Sequence, residues 1–382
     1  MKKIIIVGSG ISGASLANEL ANKGWEVSVY EKNNFVGGNC YDFKDRSDVL
    51  VHKYGPHIFH TSYEDVYAFV SKFTTLNNYQ HKVLVNVDNK VFPLPINFKS
   101  IEVIMGNKAT DVINLLKKSF PNKKTITLFE LKQINDSTIK QFVDWISQNV
   151  YFNYSSKMWG TKFENIDPNT INRVKIILGY EHNYFPEDKY QGLPNEGYTK
   201  MIEAMLNHKN IKVFKGVNAL EHLQFKESIL WDDNIVTSPV VYCGALDELL
   251  KYKHGMLPYR SLDIQFENIN KDMFQEAAVV NYPADASMTR IAEYKQMTLQ
   301  KIETTTISRE YPGAFELNSC RFNQRYYPII NDSNAASYQK YVQEFKKYNN
   351  FYPLGRLAQY KYFDIDDAIK QALDLAKRLG NA

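Results

Sequence analysis

Ile4-Ile5-Ile6-Val7 is a continuous apolar, mostly β-branched run that stops at Gly8, the pattern of a central parallel strand buried on both faces. Over residues 12–23 the pattern changes to a helical period, with Ala14, Leu16, Ala17, Leu20 and Ala21 on the inner side. Val27-Ser28-Val29-Tyr30-Glu31 reads as a second strand, which completes a βαβ unit. Residues 60–72 and 99–150 predict helices, the latter carrying periodic Val103, Ile104, Val112, Leu115 and Leu116; the intervening 79–95 reads as extended and contains Pro93 and Pro95. From about 170 to 335 short strand-like runs dominate, among them Ile211-Lys212-Val213-Phe214 and Ile235-Val236. Val240-Val241-Tyr242-Cys243-Gly244 is another buried strand ending at glycine, and 364–379 predicts an amphipathic helix with Ile365, Ala368, Ile369, Ala372, Leu373 and Leu375 inward. Opening in βαβ, passing through helices and then strands, and returning to helix predicts an α/β fold whose first domain is discontinuous, with later pieces from 195–255 and 340–382. There is no internal repeat or low-complexity tract.

Composition narrows the class of function. The chain has 382 residues, room for two or three domains, and is 44% hydrophobic, so a core is easily supplied. Aromatic content is 14%, enough both to fill that core and to line a ligand cleft. A net charge of +4 without a long Lys/Arg run argues against a nucleic-acid partner and leaves small anionic ligands open. Cys40, Cys243 and Cys320 are odd in number, far apart and form no CxxC pair, so neither a disulfide framework nor a metal site is expected, and a reduced cytoplasmic compartment fits best. The N-terminal apolar run is too short for a membrane helix and no other stretch is long enough, so no membrane association is expected.

The candidate chemistry begins at Gly8-Ser9-Gly10-Ile11-Ser12-Gly13, a G-x-G-x-x-G fingerprint between strand and helix. Gly8 serves the tight turn, Gly10 the close approach of a pyrophosphate, and Gly13 the packing of helix on strand. The helix N-terminus offers unpaired N–H groups to the phosphates, and Glu31, at the end of the second strand, can accept from both ribose hydroxyls. Lys32 and then Gly37-Gly38-Asn39 follow. An acid followed shortly by a Gly-Gly pair resembles the FAD-binding motif of the flavoprotein group that includes amine oxidases.

His52-Lys53-Tyr54-Gly55-Pro56-His57-Ile58-Phe59-His60-Thr61 resembles the signature of the bacterial UDP-galactopyranose mutases. The resemblance continues along nearly the whole chain. It runs through Phe92-Pro93-Leu94-Pro95-Ile96-Asn97, Tyr154-Ser155-Ser156-Lys157-Met158-Trp159-Gly160 and Asn183-Tyr184-Phe185. It is picked up again at Tyr190-Gln191-Gly192-Leu193-Pro194, Thr289-Arg290-Ile291, Tyr326-Tyr327-Pro328 and Gly355-Arg356-Leu357-Ala358-Gln359-Tyr360-Lys361-Tyr362. The family implies a Rossmann-like FAD-binding domain from 1–75, 195–255 and 340–382, a helical domain over 96–165, and an antiparallel-sheet substrate domain from 76–95, 166–194 and 256–339. It also implies a homodimer and a place in polysaccharide biosynthesis. The implied activity is interconversion of pyranose and furanose forms of a nucleotide-diphosphate sugar, UDP-galactopyranose or a relative carrying fucose or arabinose. The family's chemistry passes through an adduct between N5 of reduced FAD and the sugar, with NAD(P)H or another external reductant as electron source.

Carried over by motif, the expected cofactor contacts are Gly8, Gly10, Ile11, Ser12, Gly13, Glu31, Lys32, Gly38, Asn39, His57, Ile58, Gly244 and Arg356. His60 is expected to face the flavin ring; with Arg290 and Trp159 it forms the expected catalytic set. Substrate contacts are expected from Tyr154 on the base, Trp159 on the sugar pocket, Asn183, and Tyr184, Arg290, Tyr327, Tyr362 and Asp364 around the diphosphate. One position departs from the family: four residues after Arg173, where a second catalytic arginine is usual, stands Ile177. Arg173 and Lys175 are the nearby cations, and the loss suits a sugar with one hydroxyl fewer. An FAD-dependent, amine-oxidase-like oxidoreductase accounts for the N-terminal fingerprint equally well but leaves the Tyr, Trp and Arg motifs unexplained. A non-catalytic binding protein of the GDP-dissociation-inhibitor type fits poorly with Gly37, Gly38 and Arg356.

Overall fold

The computed structural model describes residues 1–160, 162 and 174–381. Arg173, and the parts of the expected helical and sheet units at 161 and 163–173, lie outside the described residues.

The N-terminal βαβ unit forms as its pattern requires. Strand Lys3–Val7 is central in a five-stranded parallel sheet, flanked by Glu26–Glu31 and then Ile211–Lys215 on one side, and by Val240–Tyr242 and Phe351–Pro353 on the other. Helix Ile11–Asn22 buries Ala14, Leu16, Ala17, Leu20 and Ala21 against this sheet and against the C-terminal helix Ile365–Asn381. The contact is close enough to demand glycine: a Cβ on Gly13 would stand 2.1 Å from the Gly8 carbonyl oxygen. Helix Tyr198–Leu206 joins the same layer, with Tyr198, Met201, Ile202, Met205 and Leu206 buried. That spacing is helical, yet the segment is short and lies where the chain otherwise reads as strands.

The second layer is a seven-stranded sheet in the order Tyr327–Pro328, Tyr259–Ile269, Thr305–Ala314, Arg290–Glu293, Val279–Asn281, Val83–Val87, Lys90–Leu94. Its pairs are antiparallel except one, Val279–Asn281 beside Val83–Val87, where two distant stretches of chain meet in parallel. Helices Phe98–Met105, Ala109–Ser119, Leu128–Lys132 and Ser137–Ile146 pack a shared core with this sheet, including Val112, Leu116, Ile139, Phe142 and Ile146. The expected long helical stretch is therefore several helices, separated by caps: Asn97 and Ser100 form a capping box, and Thr127 and Glu130 another.

Three local expectations change. Residues 60–72 hold a strand, Phe59–Thr61, before the helix Glu64–Val70, because pairing of Tyr190–Gly192 with Phe59–Thr61 fixes the extended form. The strand-rich stretch ends in a 14-residue helix, Asp332–Phe345, capped by the Asn331 side chain. Finally, helix Ser137–Ile146 continues through a π-helical turn, Ser147–Phe152, into Asn153–Trp159. A π turn rotates the side chains that follow it relative to an uninterrupted helix, and such turns concentrate at sites of function. Here the far end of the helix is fastened to the sheet. Arg260 donates to the carbonyls of Met158 (2.6 Å) and Lys157 (3.1 Å), while Lys157 Nζ reaches the carbonyls of Tyr282 (2.9 Å) and Asp285 (2.6 Å).

Candidate active site

Two clefts lie side by side and share His57, Arg356, Asp364 and Ile365 in their walls. The first, about 280 Å³, opens above the parallel sheet at the carboxyl ends of its strands. This is where an open α/β sheet receives a ligand. The N-terminus of helix Ile11–Asn22 has Gly10 at its cap and no side-chain cap bond, so its leading amides are turned to the cleft. Backbone passes very close to backbone across the floor: a Cβ on Gly38 would lie 3.1 Å from Gly10 Cα. Glu31 is buried at the cleft wall and held in place by Ser9, whose amide and hydroxyl donate at 3.0 and 2.7 Å, and by Asn33, whose amide and Nδ2 donate at 2.9 and 2.8 Å. A glycine cradle, a helix terminus without a cap and a fixed carboxylate together fit the pyrophosphate and ribose of a dinucleotide such as FAD.

The second cleft, about 450 Å³, lies between the helix that follows the π turn and the seven-stranded sheet. Val150 and Tyr151 from the π turn and Tyr154, Ser155, Met158 and Trp159 from the helix after it line this cleft. Facing them are Arg290 on its strand, Tyr327 and Tyr362. The Tyr327 and Tyr362 rings are stacked at 5.4 Å and 9°, with Trp159 6.2 Å from Tyr327. The Arg356 guanidinium sits 5.2 Å from both tyrosine rings, and its Nε donates to the Phe363 carbonyl at 3.0 Å. The inner wall is apolar, with Val83, Val85, Leu94, Val174 and Val279.

The charges in this cleft are set by named partners. Arg290 donates from Nε to Glu310 at 2.7 Å, and the Glu310 side chain is 1% exposed. Burial alone would lower the Arg290 pKa, but the Glu310 carboxylate outweighs it and holds the guanidinium charged. For His60, burial alone would favour the neutral ring. The 2.7 Å bond from Nδ1 to Asp188, with Asp364 and Asp366 nearby, outweighs that and raises its pKa above the usual imidazole value. His57 goes the other way. Burial, helped by His52 and Arg356, pulls it down to about 3, so it is neutral.

The expected residues divide between the clefts. Gly8, Gly10, Ile11, Ser12, Gly13, Glu31, Lys32, Gly38, Asn39, His57, Gly244 and Arg356 line the first. Ile58, His60, Tyr154, Trp159, Tyr184, Arg290, Tyr327, Tyr362 and Asp364 line the second, so Ile58 falls on the second side of the boundary rather than with the fingerprint. Asn183 reaches neither lining. Its side-chain oxygen accepts from the Phe185 amide at 3.0 Å and serves the turn. Ile177 is also outside both linings. It is buried, pairs with Thr125 and donates its amide to Ile96, and Val174 is the residue of that segment that faces the cleft. Sequence reasoning missed His81, Asn281 and Glu310. His81 stands between polar Gln80 and Lys82 just before strand Val83–Val87, Asn281 ends the short apolar strand Val279–Asn281, and Glu310 becomes visible only through its pairing with Arg290.

A two-layer dinucleotide-binding fold of flavoprotein type, joined to a second cleft built of aromatic rings around a buried arginine, defines the class. Residues 6–73 match a description of NAD(P)-binding Rossmann-like domains, and residues 149–362 match the UDP-galactopyranose mutase family. A UDP-galactopyranose mutase of Mycoplasma genitalium is 41% identical over 98% of this chain and 94% of its own length. A dTDP-fucopyranose mutase of Escherichia coli is 31% identical over 99% and 98%. The crystal structure of a reduced UDP-galactopyranose mutase superposes with a TM-score of 0.69 at 17% identity, covering 100% of this chain and 94% of that one. A putative protoporphyrinogen oxidase from Exiguobacterium reaches 0.65 at 12%, covering 100% and 99%, a likeness of fold. The chain belongs to the UDP-galactopyranose mutase family. Among the described residues no helix is long and apolar enough to cross a membrane.

Proposed function

We propose that this chain is a flavin-dependent isomerase that interconverts the pyranose and furanose forms of a nucleotide-diphosphate sugar, with UDP-galactopyranose or a related fucose or arabinose nucleotide as substrate. The observation that carries this reading is the junction of the two clefts at His57 and Arg356, with the charge of Arg290 fixed inside the second. An oxidoreductase needs the first cleft and a hydride donor. It has no need of a locked arginine among stacked tyrosines beside it.

In the first cleft the amides after Gly10, the Gly37-Gly38 turn and Arg356 hold the FAD pyrophosphate, and Glu31 holds its ribose. The cofactor, active when reduced by NAD(P)H or another external donor, supplies a nucleophilic nitrogen for the anomeric carbon. The protein's part is to position and to stabilise charge. Tyr154 and Trp159 stack against the base and sugar, which sets the register of the substrate along the cleft. Arg290 takes the diphosphate as the glycosidic bond breaks, and because Glu310 already fixes its Nε, it needs little reorganisation at that moment. Tyr184, Tyr327 and Tyr362 turn hydroxyls to the same group. His60, whose charged form Asp188 favours, stands near the junction. The apolar wall of Val83, Val85, Val174 and Val279 excludes water from the opened sugar, which would otherwise be free to leave.

We assign 1–75, 195–255 and 340–382 to the FAD-binding domain, 96–165 to a helical domain, and 76–95, 166–194 and 256–339 to the substrate sheet. A homodimer in the cytoplasm, supplying furanose for a polysaccharide, completes the reading. The test is to load the protein with FAD, reduce it with dithionite, supply UDP-galactopyranose, dTDP-fucopyranose or UDP-arabinopyranose, and separate the products by chromatography. Furanose product with reduced and not with oxidised protein is expected. Equal turnover in both states, or net oxidation of substrate, would refute it.

A further inference from the structure

His81 is not in the motifs that suggested the function, yet it lines the second cleft while being 7% exposed. Its backbone is pinned on both sides: the amide donates to Gln191 Oε1 at 3.1 Å and the carbonyl accepts from the Tyr184 amide at 2.8 Å. Gln191 is itself the strand partner of His60. The Phe185 ring lies near-parallel to both imidazoles, 3.6 Å from His60 and 5.8 Å from His81. Two histidines are thus held around one phenylalanine at the end of the cleft that adjoins the dinucleotide site.

Their hydrogen bonds make them chemically different. His60 Nδ1 faces a carboxylate, Asp188. His81 Nδ1 faces the Tyr79 hydroxyl at 2.9 Å, and Tyr79 is 8% exposed. Burial raises the Tyr79 pKa, so the phenol keeps its proton, and the Lys82 amide is directed at the same oxygen. No other acceptor for that proton is found among the described residues, so the hydroxyl donates to Nδ1. Burial, with Arg290 and His60 close by, pulls His81 down to about 3 and leaves it uncharged. The single ring proton is therefore on Nε2. Two like groups whose pKa values are pushed in opposite directions in one cleft mark a division of labour.

We propose that His81 is a neutral hydrogen-bond donor to the sugar of the substrate, acting through Nε2–H, and that Tyr79 is the residue that positions it by fixing the tautomer. This rests on the mutase reading, since it assigns the sugar to the cleft end shared with His57 and His60. A neutral donor can hold a sugar oxygen through ring opening without adding a further cation beside Arg290 and Arg356.

The experiment uses FAD-loaded full-length protein and titration calorimetry with two ligand pairs, UDP with UDP-galactopyranose and dTDP with dTDP-fucopyranose. His81→Leu is expected to weaken the sugar nucleotides about tenfold, the value of one hydrogen bond, and to leave the bare nucleotides unchanged. His81→Gln, which shares the packing change but keeps an N–H donor, should recover most of the loss. Nitrogen-15 spectra of histidine-labelled protein should show Nδ1 without a proton in the wild type and a mixed tautomer in Tyr79→Phe, with FAD content unaltered. Equal weakening of UDP and UDP-galactopyranose by His81→Leu, or a proton on Nδ1 in the wild type, would overturn the inference. If neither of these sugar nucleotides nor UDP-arabinopyranose binds or turns over in the wild type, the mutase reading fails, and this inference with it; a wrong tautomer sinks this inference alone.

Discussion

Replacing Arg290 by alanine removes a cation that the seven-stranded sheet presents to the second cleft. The magnitude follows from its setting. The guanidinium is preorganised, with Nε bound to Glu310 at 2.7 Å, and charged against burial by that carboxylate. Loss of a preorganised donor aimed at developing charge costs roughly 2–4 kcal/mol, which is about 30- to 900-fold in kcat/KM. The same substitution also leaves Glu310, 1% exposed, without its partner. Breaking a buried pair costs about 3–5 kcal/mol of stability if the remaining group stays charged. Arg290→Met combined with Glu310→Gln removes the cation and the stranded charge together, and is the cleaner variant. The assay is turnover per bound flavin with reduced enzyme, alongside FAD content and Tm. The double variant should lose activity to the same extent while keeping FAD and most of the stability that Arg290→Ala gives up. If it turns over within threefold of wild type per flavin, or loses FAD instead, Arg290 does not act on the diphosphate.

Other expectations concern the cofactor, the base and pH. Gly13→Ala places a methyl 2.1 Å from the Gly8 carbonyl and should yield protein without flavin absorbance; retention of FAD would show that helix and strand can separate there. Tyr154→Ala, on the base, should raise KM for the sugar nucleotide on the scale of about 1–3 kcal/mol for a stacked ring and weaken UDP similarly, whereas Trp159→Ala, on the sugar, should raise KM and leave UDP binding little changed; unchanged UDP binding in Tyr154→Ala would remove it from the base subsite. His52, His57 and His81 are all held down to about 3 by burial, below the imidazole value of the unfolded chain. The unfolded state therefore binds more protons between those values, so their contribution to stability is fully present above pH of about 6.5 and is lost as pH falls towards 3. Denaturant midpoints should drop steadily across that window, and a flat profile would mean that these rings are not buried neutral.

The glycine fingerprint and Glu31 were legible in the sequence because the strand–turn–helix pattern is local, and the close packing of helix on strand leaves no room for a Cβ at Gly13, whereas Arg356 came only with the family resemblance. Strands Lys3–Val7 and Glu26–Glu31 and the C-terminal amphipathic helix were legible for a related reason, since each one's burial is written in its own periodicity. The motif residues Tyr154, Trp159, Arg290, Tyr327 and Tyr362 could be named in advance but not assembled. Tyr154 and Arg290 lie on different layers, and the π turn at Ser147–Phe152 together with the Arg260 and Lys157 clamps turns the helix residues into the cleft. No local pattern encodes which carboxylate meets which base. Glu310 holds Arg290 because two antiparallel strands place Arg290 opposite Glu310. Asp188 raises the His60 pKa, and burial beside Arg290 keeps His81 neutral, because folding sets each ring's surroundings with partners distant in sequence. Composition and spacing fix which side chains are available; the protonation state each one takes is decided only when the chain has closed around it.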